Sequence, residues 1–158
     1  MFFVFLLALA GGLFGIMTFI HFFVDWIFQS HAEAMVKHNN PKIRAKHCAI
    51  YTLGFVPLLM FFMWAGALTS TQLLASVLIL FISHFIEDTY LPVFYWAKYI
   101  RRPPEMAPPA DPKVGFGLFV QTAIGKILMI TIDQIIHLAF LFPIVWMVMG
   151  HLAQGMFP

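Results

Sequence analysis

HFFVDWIFQ, residues 21–29, closes the first long apolar run of the chain. His21, Asp25 and Gln29 are spaced four apart, so on a helix they form one polar stripe along an otherwise apolar rod. The same spacing returns in two later apolar runs, as His84 with Asp88 in SHFIED and as Asp133 with His137 in DQIIH. Ionisable groups inside a membrane helix are costly, so they face the bundle interior and mark a function. The three pairs are expected to meet.

The rest of the composition agrees with a membrane setting. Of 158 residues, 61% are hydrophobic and 10% charged, with a mean hydropathy of +0.88. A soluble domain of this size needs far more charge to cover its surface. The chain reads as all-α: a single polytopic membrane helix bundle with four transmembrane helices. Its net charge of +2 gives no sign of nucleic-acid binding. One cysteine, Cys48, excludes an intrachain disulfide, and packing in an apolar helix accounts for it. There is no nucleotide-binding glycine loop in a strand–helix context, and no Ser or Cys nucleophile motif. The first run has no basic start and is too long for a signal core, so it reads as a retained span.

Four spans are expected, over residues 2–28, 47–67, 71–97 and 126–150. Gly11, Gly12 and Gly15 in the first allow close helix contact. Pro57 should kink the second, and Pro92 should bend the third near its end. Tyr90, Tyr95, Trp96 and Tyr99 read as an interfacial aromatic belt. Residues 30–46 form a basic loop in which His31 and His38 are solvated. Residues 98–113 form a second basic loop, whose prolines favour an extended connector. Val114 to Gly125 reads as a re-entrant or interfacial piece, and His151 as an exposed tail residue. The two basic loops hold nearly all the Lys and Arg, so they are placed in the cytoplasm and both termini outside.

That topology orients the motifs. Spans one and three run inward with His before Asp, and span four runs outward with Asp before His. All three histidines then lie on the outer side of the cluster and all three aspartates on the inner side, about one turn apart. Counting from span ends leaves His21 roughly two turns out of register with His84 and His137.

Three His and three Asp in a bundle core suit one or two divalent metals. The expected ligands are His21, Asp25, His84, Asp88, Asp133 and His137. Imidazole with carboxylate suits Zn, Fe or Mn, and the lack of thiolates argues against an iron–sulfur cluster. With an open position such a metal is hydrolytic, and Asp25, Asp88 or Asp133 is the candidate general base or orienting carboxylate. Gln29, His47, Tyr51, Lys126 and Gln134 are further polar groups near the cluster. The plainer reading is that these polar side chains glue helices together. A haem between two histidines is a weaker alternative, because it has no use for the aspartates.

The set HFxxDWxxQ, His47 with Tyr51-Thr52, HxxxD and DQxxH resembles a family of small multi-span bacterial and phage membrane proteins, a domain of unknown function. The matching positions are His21, Asp25, Trp26, Gln29, His47, Tyr51, His84, Asp88, Asp133, Gln134 and His137, in the family's order over nearly the whole chain. The family has no established activity to carry over. More loosely, the pattern is similar to bacterial inner-membrane proteins taken as metal-dependent hydrolases. The resemblance implies a multi-pass protein of the bacterial cytoplasmic membrane. Three functions compete. One is a metal-dependent hydrolase acting on a membrane substrate. Another is a non-catalytic subunit, homo-oligomeric or docked in a larger membrane complex. The third is an ion or proton relay.

Overall fold

The computed structural model describes residues 2–109 and 111–156, and among them the regular structure is helical. The helices are α1 Phe2–Phe22, α2 His31–Val36, α3 Pro41–Trp64, α4 Ser70–Glu87, α5 Leu91–Trp96, α6 Pro112–Gln121, α7 Ala123–Ala139 and α8 Phe142–Met156. Four segments are long and apolar enough to cross a membrane: Val4–Ile27, Pro41–Trp64, Ser70–Glu87 and Ala123–Gln154. In the last, α7 and α8 form one interrupted rod.

The four rods make a ring. α1 packs between α3 and α8, and α4 packs between α3 and α7. The core inside the ring takes Leu13 and Met17 from α1, Phe55 and Leu59 from α3, Leu80 from α4, and Ile144 and Val148 from α8. The outward faces are apolar too, with Trp64 and Trp146 more than three-quarters exposed. Helices that are apolar all round belong in hydrocarbon.

Local chemistry sets most of the ends. Thr69 caps α4 through the Gln72 amide while the Gln72 side chain returns to the Thr69 amide, a reciprocal capping box. Gly66, at φ +71°, makes the tight turn before it. Asn40 accepts from Lys42 and Ile43, with Pro41 in the first turn, so α3 begins six residues before the expected start at His47 and continues through Pro57.

The third helix ends earlier than expected. α4 stops at Glu87, Tyr90 sits in the left-handed region at φ 60°, and Pro92 occupies the first turn of a new helix, α5. Proline fits there because it lacks only an amide that a first turn leaves unbonded anyway. The expected aromatic belt is therefore divided. Tyr90 stacks on His38, Tyr95 stacks on Tyr99, and Trp96 packs into a second small core with Ala97, Met106, Phe119 and Leu128.

That second core shapes the segment expected to be re-entrant. Val114 to Gly125 forms the body of α6, a break at Thr122, and the start of α7. Gly115 is required by packing, because an added Cβ would overlap the Glu105 carbonyl. The connector before it is part extended, at Pro103 and Ala107, and part a 3-10 turn over Pro104–Met106. At Gly11, Gly12 and Gly15 an added Cβ would meet nothing within 4 Å, so they form no close seam inside this chain. Gly54 does, because its missing Cβ leaves room for Val24. His151 is half-buried within α8, while the end of the tail lies outside the described residues.

Candidate metal centre

The centre is built where α1 loses its regular winding. Phe23–Ile27 is a π-helical turn that buries Val24 and Asp25. One wider turn shifts the phase of the residues after it, and π turns are frequent at functional sites. Asp25 is carried inward against α3, whereas Gln29 makes no hydrogen bond to the cluster and its Nε2 is unpartnered.

Four side chains converge on one point. His47 Nε2 lies 3.0 Å from Asp25 Oδ1, 2.9 Å from His84 Nε2 and 3.6 Å from Asp88 Oδ2. His84 Nε2 lies 3.5 Å from Asp25 Oδ1 and 3.5 Å from Asp88 Oδ2. The two ring nitrogens thus each lie within 3.6 Å of both carboxylates. A tetrahedral zinc with bonds of about 2.0–2.1 Å has edges of about 3.3–3.4 Å between its ligand atoms. Two ring nitrogens facing each other can share one proton at most, so their lone pairs and the two carboxylates all point into the same space.

Charge makes the same demand. Asp25 and Asp88 are at most 5% exposed, and the one ammonium between them is Lys37. Two carboxylates against one ammonium leave one negative charge to be balanced, and buried charge without compensation is strongly unfavourable. Lys37 is the C-cap of α2, and its Nζ reaches 2.7 Å from Asp88 Oδ1, 3.3 Å from His47 Nε2 and 3.8 Å from Asp25 Oδ1. Burial alone would lower the Lys37 pKa, but the Asp88 and Asp25 carboxylates outweigh it and hold it above the usual lysine value. Arg44 fixes the loop that presents it, donating to the Lys37 and His38 carbonyls and lying over the Phe85 ring.

A second group adjoins the first. His137 Nδ1 lies 2.8 Å from the Asp133 carbonyl, to which it donates, and its Nε2 faces Glu87 Oε2 at 3.2 Å. That Nε2 has no hydrogen-bond partner. His84, Glu87 and His137 themselves offer ligand atoms within 4.8 Å of one another, as do Asp25, His47 and His84, and Cys48, His84 and Asp88. Cys48, assigned to packing from sequence, thus also faces the centre.

The expected residues divide accordingly. Asp25, His84 and Asp88 lie at the convergence point, and His137 lies beside it with its ring 4.5 Å from that of His84. His21 sits behind them, its Nδ1 3.0 Å from the Tyr51 hydroxyl and its Nε2 2.9 Å from Gln134 Oε1. Tyr51 stacks on His84 at 3.8 Å. His21 thus holds the tyrosine that holds a ligand, and is not itself at the convergence point. Asp133 is partly exposed; its Oδ2 lies 3.8 Å from His137 Nδ1 and accepts from Gln134 Nε2 at 3.4 Å. Lys126 is exposed and outside the cluster. Separate His and Asp layers do not form, because side chains four apart on one helix meet each other, as His84 and Asp88 do.

The two-turn mismatch disappears for a related reason. His21 lies nineteen residues from the start of α1 and His137 nineteen from the end of α8, about 28 Å of rise in each case. α7 packs against α4, α5 and α6. The centre therefore lies near the end of α1, the start of α3 and the end of α4.

The sequence profile described as "Protein of unknown function (DUF3307)" matches residues 13–156, and the chain belongs to that family. No curated protein and no solved structure matches it.

Proposed function

We propose that this member of a family of unknown function is an integral membrane protein that holds a divalent metal between Asp25, His47, His84 and Asp88 and uses it to hydrolyse a membrane-borne substrate. The observation that carries the reading is the set of five contacts of 2.9–3.6 Å among those four ligand atoms. Zinc suits the donor set best, with iron and manganese next. Such a metal, when bound, acidifies a water and polarises a carbonyl or phosphoryl oxygen.

The chain's own groups supply the rest. Glu87 and His137, 3.2 Å apart beside the centre, are placed to take a proton from water and return it to a leaving group. Asp133 fixes the His137 tautomer through its carbonyl. Lys37 neutralises Asp88 and orients it. The basic residues between α1 and α3 and after α5 favour a cytoplasmic position for this end of the bundle, in a bacterial inner membrane.

One observation favours a second reading, a non-catalytic subunit with a structural metal: the four ligand residues are at most 5% exposed. Structural sites are closed, whereas catalytic ones keep an open position. Metal content by mass spectrometry on detergent-purified protein tests the shared premise. About one equivalent, lost in Asp25→Asn and His47→Ala, is the expected result. Folded metal-free protein overturns both readings. Metal-dependent hydrolysis of lipid esters or phosphoesters in vesicles separates the first from the second.

A further inference from the structure

His137 is set up as a ligand on one side of its ring. Its Nδ1 donates to the Asp133 carbonyl at 2.8 Å, which in a neutral imidazole leaves Nε2 with a lone pair and no proton. Histidines that bind metals are oriented in this way, through the other ring nitrogen. His21 shows the contrast, since hydrogen bonds occupy both of its nitrogens. His137 is 2% exposed, and its unpartnered Nε2 faces acceptors: Glu87 Oε2 at 3.2 Å and Asp88 Oδ1 at 3.9 Å. Glu87 is 3% exposed, and its Oε1 is also without a partner. Buried lone pairs that converge with no donor between them are costly.

We propose that Glu87 and His137 form a second, weaker site for a divalent cation, sharing Asp88 with the first, and that filling it stops hydrolysis. The inference rests on the hydrolytic reading above and adds its regulation. Asp88 serves both sites because its oxygens face different ways. Its Oδ2 lies 3.5 Å from His84 Nε2 and 3.6 Å from His47 Nε2, whereas Oδ1 lies on the His137 side. The second site is the weaker because its own donors are only Glu87 and His137. Asp88 Oδ1 already accepts from Lys37 Nζ at 2.7 Å, and a cation in the first site repels another. The site therefore empties on purification and fills as free cation rises. A cation held there takes the His137 lone pair and the Glu87 carboxylate, so neither group is left to accept a proton from water.

The test is titration of the zinc-loaded, full-length protein in detergent with Mn²⁺. The electron paramagnetic resonance of free Mn²⁺ measures uptake, and zinc content is measured at every point. Manganese suits a carboxylate-containing site. About one equivalent of Mn²⁺ should bind with zinc retained. Glu87→Gln and His137→Ala should each weaken that uptake by about tenfold or more. Both should keep their zinc, which shows that the bundle is intact. Zinc-loaded protein that takes up no Mn²⁺, or takes it up equally in both variants, overturns the second site alone. Uptake matched by zinc loss is exchange at the first site and overturns it too. Protein that holds neither cation overturns both readings. Hydrolysis in vesicles should fall in step with Mn²⁺ uptake, and uptake without that fall overturns the inhibitory role.

Discussion

His47 and His84 come from different helices and point their Nε2 atoms at each other across 2.9 Å. Two neutral imidazoles in that pose repel unless a proton or a cation joins them. Nothing else about His47 is unusual: it stands in the second turn of α3, directly after a basic stretch.

Removing either ring should therefore remove the metal. His47→Ala and His84→Ala are expected to bring bound metal below a tenth of an equivalent, while Asp133→Asn retains it. Mass spectrometry of each purified variant checks this. Metal loss in Asp133→Asn equal to that in His47→Ala would shift the centre toward α7.

Tyr51 supports a ligand without being one. Tyr51→Phe keeps the stack on His84 and loses the His21 hydrogen bond, a change of about 1 kcal/mol. Tyr51→Ala loses both, and metal affinity should fall about 10–100-fold, as for other changes in groups that orient ligands. Competition with a chromogenic chelator measures both variants. Equal affinities would show that the ring does not position His84.

Lys37 competes with a cation for Asp25 and Asp88. Lys37→Met should bind metal about tenfold tighter, equivalent to about 1.4 kcal/mol. It should also lower the stability of metal-free protein, because breaking a buried pair costs about 3–5 kcal/mol. Opposite signs in the two forms are the expected outcome, read by chelator competition and by thermal unfolding with and without metal.

The same lysine sets an alkaline limit. Its pKa is raised in the folded chain, so its contribution is complete below the unfolded value of about 10.4 and is lost as pH rises through the higher folded one. Metal-free protein should show constant stability from this source between about pH 6 and 9 and a decline above about pH 10.5 that Lys37→Met lacks. Glu33 behaves oppositely. Lys46 and Ser30 hold its carboxyl down at about 2, so its support of α2 persists above the ordinary glutamate range and is lost as pH falls toward 2.

Gly54 is where α3 yields to the π-helical turn. Val24 would meet an added Cβ there, and valine has little rotamer freedom with which to retreat. Gly54→Ala should displace Asp25 and reduce metal content, whereas Gly12→Ala, with nothing within 4 Å, should change neither metal nor melting temperature.

The sequence showed the four spans and the meeting of His84, Asp88 and Asp25, because ionisable groups in long apolar runs have few other places to go. It did not show His47 as central, since a histidine after Lys42, Arg44 and Lys46 looks like the end of a loop. Lys37 was hidden for the same reason: a lysine in a basic loop reads as solvated, and only the Arg44-braced loop turns it inward. Glu87 had a usable signal, three residues after His84 and so on the same helical face. A strict search for spacings of four passes over it to Asp88. The π-helical turn at Phe23–Ile27 leaves no mark in the residues, and it decides that Asp25 turns in while Gln29 does not.

Asp25, His47, His84 and Asp88 all precede Thr89, whereas His137 arrives some fifty residues later. The residues of the convergence point are thus all made before the fourth spanning segment, and His137 can reach Glu87 only once that last rod is in place.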